Sequence, residues 1–292
     1  MRNKTKITGH LLAIITAFIW GVTFVSSKIL LREFTPVELL LNRFVVGYIT
    51  LWIIRPKRLR FENWKRELLY AGAGLTGVCL YYLGENLALV YTQAANVSVI
   101  VSSAPLFVSL FAHFFLKDEK IKRYFYIGFA CSIVGILLLS FGGGQGIRVN
   151  AIGDGICVLA AVFWGVYSII VKKINEGSIS AVLTTRRIFF YGIVFMIPLA
   201  LLSGYQLKPE RFANTINLFN FLFLGVCACA LCFIMWNKAV AILGAIKTSA
   251  YIYAIPAITI VFSVLVLHEK ITLLMGIGTI LTIVGLVVSE KE

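Results

Sequence analysis

The segment Ile19-Trp20-Gly21-Val22 returns later in the chain as Phe163-Trp164-Gly165-Val166, so the sequence contains two copies of one pattern. Two further segments repeat with identical internal spacing: Glu119-Lys120-Ile121 and Ile133-Val134-Gly135 return as Glu269-Lys270-Ile271 and Ile283-Val284-Gly285. The offset between the copies drifts only from 144 to 151 residues. We therefore predict two homologous halves, residues 1–145 and 146–292.

The composition is that of a protein embedded in a lipid bilayer. Of the 292 residues, 60% are hydrophobic and 14% are charged, with a mean hydropathy of +0.92. Soluble domains usually carry roughly 25% charged residues. The net charge of +14 lies in short basic clusters between apolar runs, as topology signals and contacts to anionic lipid do. This placement favours a membrane over nucleic acid as partner.

Ten apolar stretches are long enough to cross a membrane, for which about 20 residues are needed. They lie at about 9–30, 36–54, 67–91, 93–116, 122–141, 152–171, 180–203, 217–242, 244–267 and 271–289. Five spans per half is an odd number, so the second half enters the membrane upside down. The predicted fold is an all-α polytopic membrane protein with ten transmembrane helices in two inverted five-helix repeats.

The basic residues also predict the orientation. Loops on one side of the predicted topology carry 16 lysines and arginines, and those on the other side carry six. Segment 55–66 has six basic residues, whereas its counterpart 203–217 has two. Because basic loops stay in the cytoplasm, we expect both termini to be cytoplasmic, in a bacterial inner membrane.

Cysteine and proline placement adds two expectations. The six cysteines all lie in apolar stretches, which favours packing over a disulfide framework or a metal site. No metal or cofactor is expected. Pro105 and Pro256 occupy equivalent places in the two halves and predict matching helix kinks. Small residues at matching places in spans 5 and 10 predict close packing, within the monomer rather than against a second copy.

The chain resembles the EamA-type members of the drug/metabolite transporter superfamily. The residues that carry the resemblance are Phe18-Ile19-Trp20-Gly21, Glu85-Asn86-Leu87-Ala88-Leu89, Pro105-Leu106-Phe107, Leu116-Lys117-Asp118-Glu119, Trp236-Asn237, Pro256 and His268-Glu269-Lys270. The resemblance implies ten helices in two inverted repeats around a central cavity. It also implies transport of small metabolites such as amino acids, with export as the expected direction.

Charged residues inside the spans are the first candidates for substrate binding, because each costs about 2.5–3.5 kcal/mol to insert. Arg43 and Arg187 occupy equivalent positions and either could clamp a carboxylate; the alternative is snorkelling or pinning of two helices. Glu85 could bind an ammonium group or a coupling proton, or form a structural pair with Arg43 or Lys238. Arg186 is expected to point inward less than its neighbour.

Polar and aromatic residues complete the predicted site. Lys238 could tune specificity toward an anionic group, or snorkel to the membrane surface. Asn86 and Asn237 are equivalent and either contact a polar substrate or join helices. The last candidates, Trp20, Trp164 and Tyr82, either line the cavity or pack on neighbouring helices and lipid.

We therefore predict a secondary transporter that moves a small metabolite across the cytoplasmic membrane by alternating access. The alternative is an integral membrane enzyme acting on a lipid-like substrate. That alternative would need a cluster of acid, base, nucleophile or metal ligands, and the sequence has no recognisable motif of this kind.

Overall fold

The computed structural model describes residues 2–115, 123–142, 151–175 and 180–289, and within these ranges it consists of helices without strands. We number the ten principal helices in chain order. They are α1 (Arg2–Leu30), α2 (Pro36–Ile54), α3 (Trp64–Tyr91), α4 (Ala94–Phe115), α5 (Arg123–Gly142), α6 (Ala151–Asn175), α7 (Ala181–Leu202), α8 (Thr215–Leu243), α9 (Ala245–Leu267) and α10 (Leu273–Ser289). A short helical turn, Pro209–Ala213, precedes α8.

Eight of these helices are long and apolar enough to cross a membrane: α1 to α4 and α6 to α9. The apolar parts of α5 and α10 are shorter, Arg123–Leu138 and Leu273–Val288. A helix therefore occupies each of the ten predicted stretches, and eight of them meet the length of a full span. The repeated Glu119-Lys120-Ile121 segment and the predicted 4–5 loop lie outside the described residues, except for Arg123 at the start of α5.

Helix geometry is irregular at matching places in the two halves. α3 contains a π-helical segment, Gly74–Leu80, and α8 contains another, Phe223–Leu231. A Cβ at Gly74 would meet the Gly192 nitrogen and the Ile188 carbonyl at 2.6 Å. Because Gly74 has no side chain, α3 can approach the backbone of α7 closely. This approach lies at the start of the π-helical segment of α3. Such π segments occur often at functional sites.

The helices α4 and α9 are interrupted just before their prolines. In α4 the helix breaks at Ser102 and Ser103 and restarts at Ala104, because Pro105 has no N–H to donate. In α9 the segment Ala250–Ala254 is a 3₁₀ helix, and the α-helix restarts at Ile255. The two breaks meet, since the Ser102 hydroxyl lies 3.4 Å from the Ile252 carbonyl oxygen.

The helices α5 and α10 pack against each other through their small residues. A Cβ at Gly135 would lie 2.5 Å from the Thr282 nitrogen, and one at Gly285 would lie 2.5 Å from the Ser132 hydroxyl. The Ser132 hydroxyl donates to the Thr282 carbonyl at 3.2 Å. The contact is reciprocal, because Gly135 of α5 packs against Thr282 of α10 and Gly285 of α10 packs against Ser132 of α5. The small residues of spans 5 and 10 therefore join the two halves of one chain.

Candidate substrate-binding site

Arg43 lies on α2 and has no exposed surface. Its Nη1 is 3.9 Å from Glu85 Oε1, its Nε is 3.4 Å from Cys229 Sγ, and its guanidinium lies 4.5 Å from the centre of the Tyr82 ring. Neither Nη1 nor Nη2 has a hydrogen-bond partner among the described residues. This cation is stabilised by a nearby charge and a ring face, and the N–H donors of both Nη atoms stay unused among the described residues.

Glu85 faces Arg43 from α3, one helical turn after Tyr81, and is 2% exposed. Its Oε1 likewise has no hydrogen-bond partner in the part of the chain that the structure describes. Buried polar groups normally find partners, and a buried ion pair is stable only with good geometry and further hydrogen bonds. Arg43 and Glu85 are too far apart to hydrogen-bond each other. Both therefore have the capacity to bind a ligand that carries an anionic and a cationic group.

Aromatic rings surround this charged pair. The Trp20 ring lies 5.4 Å from Trp164 and 4.9 Å from Trp236, and the Tyr81 ring lies 4.8 Å from Trp164. The Trp20 indole donates to the Ala228 carbonyl at 3.2 Å. The Trp164 indole N–H is buried without an acceptor among the described residues. The aromatic wall is thus contributed by both halves of the chain, and one of its polar atoms is left for a ligand.

The cavity beside these residues is small, about 20 Å³. Both halves line it, with Trp20, Thr23, Phe24, Tyr81, Tyr82, Glu85, Val101, Ser102 and Ala104 from the first and Trp164, Ile252 and Ile255 from the second. A space of this size holds about one water molecule. The cavity is therefore too small for a metabolite in the arrangement of helices that the structure has.

Asn86 and Asn237 join helices at equivalent places. Asn86, fully buried on α3, donates to the Pro36 carbonyl at the start of α2, at 3.2 Å. Asn237, fully buried on α8, donates to the Thr185 hydroxyl near the start of α7, at 2.8 Å, and accepts from the Tyr167 hydroxyl at 3.3 Å. These bonds correspond to the helix-joining alternative. The Asn86 Oδ1 atom has no partner in the described residues, whereas both side-chain ends of Asn237 are bonded.

Two predicted residues lie away from the central cluster. Arg187 forms a bidentate pair with Glu67, at 2.7 and 3.0 Å, near the start of α3. Glu67 thus holds Arg187 near the start of α3, away from Arg43. Lys238 is on an exposed face of α8, as the snorkelling alternative predicts. Arg186 is more buried than Arg187. Its guanidinium donates to the Arg55 and Lys57 carbonyls at the end of α2.

Sequence reasoning missed several residues that the structure brings to the site. Cys229 contacts the Arg43 guanidinium from the π segment of α8, and Ser102 and Thr23 line the cavity. Trp236 packs on Trp20, although the sequence indicated it only as part of a family motif. Helical spacing was a usable signal for one of them, because Thr23 lies three residues after Trp20 on the same face of α1. Nothing in the sequence distinguishes Cys229 from the other cysteines.

The comparison with protein families agrees with this architecture. The EamA-like transporter family matches twice, at residues 7–141 and 151–290. The chain belongs to the EamA-like transporter family. An uncharacterized transporter of Archaeoglobus fulgidus is 29% identical to it, over 100% of this chain and 99% of that protein. An uncharacterized transporter of Bacillus subtilis, YoaV, is 25% identical over 92% of this chain and 91% of that protein.

A further relative has a more specific name. The probable terminal-alkyne amino-acid exporter of Streptantibioticus cattleyicolor is 26% identical over 96% of this chain and 92% of that protein. A solved crystal structure superimposes with a TM-score of 0.68, over 99% of this chain and 97% of its own length, at 18% identity. That likeness shows a shared fold alone. Family and relatives together point to a membrane transporter.

Proposed function

We propose that this EamA-family protein is a secondary transporter that moves a small zwitterionic metabolite, an amino acid or a close relative, by alternating access. Export across the cytoplasmic membrane is the proposed direction. The observation that carries the proposal is the buried Arg43–Glu85 pair, whose facing atoms have no hydrogen-bond partner among the described residues. Glu85 lines the small cavity between the two halves, and Arg43 lies behind it. A cavity between two repeats near the bilayer midplane is the usual place for a transporter's substrate.

The proposed architecture has ten spans in two inverted five-helix repeats, residues 1–145 and 146–292, with both termini cytoplasmic. Reciprocal contacts between the halves support it. The segment after α7 reaches the start of α2, where Arg211 binds Glu38 at 2.9 Å. The segment after α2 reaches the start of α7, where Arg55 binds the Ser180 hydroxyl at 2.7 Å. Inverted repeats place these equivalent contacts at opposite ends of the bundle.

These two sets of contacts serve as gates in the proposed cycle. Opening one end requires breaking the contacts of Arg211 with Glu38 and with the Glu33 carbonyl, which hold the halves together there. Opening the other end requires breaking those of Arg55 and Arg186. The structure has both sets formed, in keeping with the small central cavity. In each transition that a ligand drives, one of these two sets of polar contacts breaks, and water then solvates its groups at that end of the bundle.

The substrate class follows from the chemistry of the site. The free Nη groups of Arg43 bind the substrate carboxylate, and Glu85 binds its ammonium group. Trp20, Trp164 and Tyr81 enclose an apolar or aromatic side chain. Glu85 also exchanges a proton during the cycle if transport is proton-coupled. The proposed unit is a monomer, since the α5–α10 contact already joins both halves within one chain.

Flux through proteoliposomes tests the proposal. A panel of radiolabelled amino acids is offered to wild type, Arg43→Gln and Lys238→Gln, the last as a control on an exposed face. We expect Arg43→Gln to lower flux roughly tenfold or more, because a hydrogen bond to a charged group is worth about 1.5–3 kcal/mol. Lys238→Gln should transport as wild type does. Undiminished flux in folded Arg43→Gln would reject the proposed site.

A further inference from the structure

A second cavity, of about 300 Å³, lies where α2 ends and α7 begins, away from the central site. Its walls combine three arginines with aromatic rings: Arg58, Arg186 and Arg187 with Tyr48, Trp52 and Phe190. No acidic residue lines it among the described residues. Glu67 compensates Arg187 from outside the wall, which leaves the charges of Arg58 and Arg186 uncompensated. The cavity is therefore a preformed site for an anion.

Two of the three guanidinium groups are held rigidly. Arg186 donates to the Arg55 carbonyl at 2.5 Å and to the Lys57 carbonyl, and its guanidinium stacks 3.8 Å from the centre of the Trp52 ring. Arginine has five N–H donors, so donors remain after these two bonds. Arg187 is fixed by its bidentate pair with Glu67. Fixed arginines lose little conformational entropy on binding a phosphate group.

Arg58 completes the set from the segment between α2 and α3. It is exposed and forms no ion pair with any residue the structure describes. Arg60, two residues later, is exposed as well but does not line the cavity. The two arginines lie in the same loop and are both exposed, but only Arg58 lines the cavity. This difference supplies a matched control.

Apolar surface continues from the cavity along both helices. On α2 the exposed residues Val45, Ile49 and Ile53 share one face, and on α7 Phe190, Val194 and Ile197 do so. α2 runs toward the cavity and α7 runs away from it. Both stripes therefore extend from the level of the arginines toward the middle of the membrane. A soluble phosphate would use the arginines alone, whereas an acyl chain would also cover these stripes.

We propose that this cavity binds the phosphate headgroup of one anionic glycerophospholipid, whose acyl chains lie along the exposed faces of α2 and α7. Arg58, Arg186 and Arg187 contact the phosphate, and Trp52 and Tyr48 lie at the membrane–water boundary, where such rings are enriched. Basic pockets between transmembrane helices bind lipid headgroups in this way. In the proposed orientation this is the cytoplasmic leaflet. The lipid would brace α2 against α7, on which Arg43 and Arg187 lie.

Native mass spectrometry of the purified full chain in detergent tests the proposal. The probes are dioleoyl phosphatidylglycerol, the matched phosphatidylcholine and soluble glycerol 3-phosphate, offered to wild type, Arg58→Gln and Arg60→Gln. We expect one phosphatidylglycerol to remain bound to wild type and to Arg60→Gln at concentrations where phosphatidylcholine does not. Arg58→Gln should bind it roughly fivefold more weakly, as expected for one charge near a headgroup.

Three outcomes would overturn the assignment. The first is equal retention of both lipids by wild type, and the second is equal weakening in Arg58→Gln and Arg60→Gln, since each indicates nonspecific association. The third is binding of glycerol 3-phosphate as tight as that of the lipid, which would assign the cavity to a soluble anion. Thermal unfolding of both variants confirms that they are folded. Because lipid retention is measured without transport, this experiment is independent of the flux assay.

Discussion

Arg43 and Arg187 occupy equivalent positions in the two halves, 144 residues apart, yet their ion pairs differ in hydrogen bonding and in burial. Arg187 and Glu67 form two hydrogen bonds, and the Tyr191 hydroxyl donates a third to the same carboxylate, at 2.5 Å. Arg43 and Glu85 are buried, and Arg43 Nη1 and Glu85 Oε1 face each other at 3.9 Å, neither with a hydrogen-bond partner in the part of the chain that the structure describes. The partly exposed pair is joined by hydrogen bonds, whereas the buried pair keeps three side-chain atoms without a hydrogen-bond partner among the described residues. The difference supports the proposal that a ligand binds at the second pair.

The largest expected effect comes from breaking the central pair on one side only. Arg43→Met leaves Glu85 buried without a counter-charge, and removal of one partner of a buried pair costs about 3–5 kcal/mol. The double variant Arg43→Met/Glu85→Met removes both charges, so we expect it to recover much of that stability. Thermal unfolding in detergent measures both, and flux should be lost in both.

A ligand site and a purely structural pair respond differently in this experiment. If the double variant regained stability and also transported the substrate as well as wild type does, the pair would be a structural element without a part in binding. If the single variant were as stable as wild type, the charge of Arg43 would contribute nothing to folding at this position. The comparison therefore separates folding from substrate binding at one position.

A smaller loss of stability is expected at the contact between α5 and α10, where the two halves have matching residues. Gly135→Ala and Gly285→Ala each place a methyl group about 2.5 Å from backbone or hydroxyl atoms of the opposite helix. Overpacking of this kind costs about 1–3 kcal/mol. Because the contacts are reciprocal, we expect the two variants to lose similar stability in thermal unfolding. Gly276→Ala is the control, since a Cβ there meets nothing within 4 Å.

Unequal losses in this pair would indicate that α5 and α10 are not related by the internal symmetry proposed for the whole chain. Equal losses would sharpen the contrast with the two arginines. The helices that join the halves would then have kept the symmetry of the repeat, while the positions around the cavity have diverged from it.

The sequence predicted more of the helices than of the site. Apolar runs of about 20 residues predict each helix in turn, and a helix lies at all ten. Arg43 was one of two partners considered for Glu85, and the structure selects it because Lys238 is on an exposed face. The Arg187–Glu67 pair was not predicted. Its partners lie 120 residues apart, and no local pattern indicates which distant segments meet.

Backbone irregularities were also beyond the sequence analysis, except at the prolines. A π segment shifts the hydrogen-bond ladder by one residue and leaves the apolar composition unchanged, so Gly74–Leu80 and Phe223–Leu231 read as ordinary helix. The contact between Cys229 and Arg43 could not be predicted for this reason, because Cys229 lies in the second of these segments. The helix breaks before Pro105 and Pro256 could be predicted, since proline lacks the amide donor of a continuous helix.

The smallest expected effect lies at the satisfied pair, and it completes the comparison of the two arginines. Glu67→Gln removes the charge that Arg187 binds but keeps the shape of the side chain. Arg187 is 28% exposed, so water replaces part of the lost interaction, and we expect a loss of about 1 kcal/mol in unfolding. Flux should stay close to that of wild type, because this pair is distant from the central cavity. A loss of flux in Glu67→Gln as large as that in Arg43→Gln, without a matching loss of stability, would mean that both arginines take part in transport and that the contrast drawn between them is wrong.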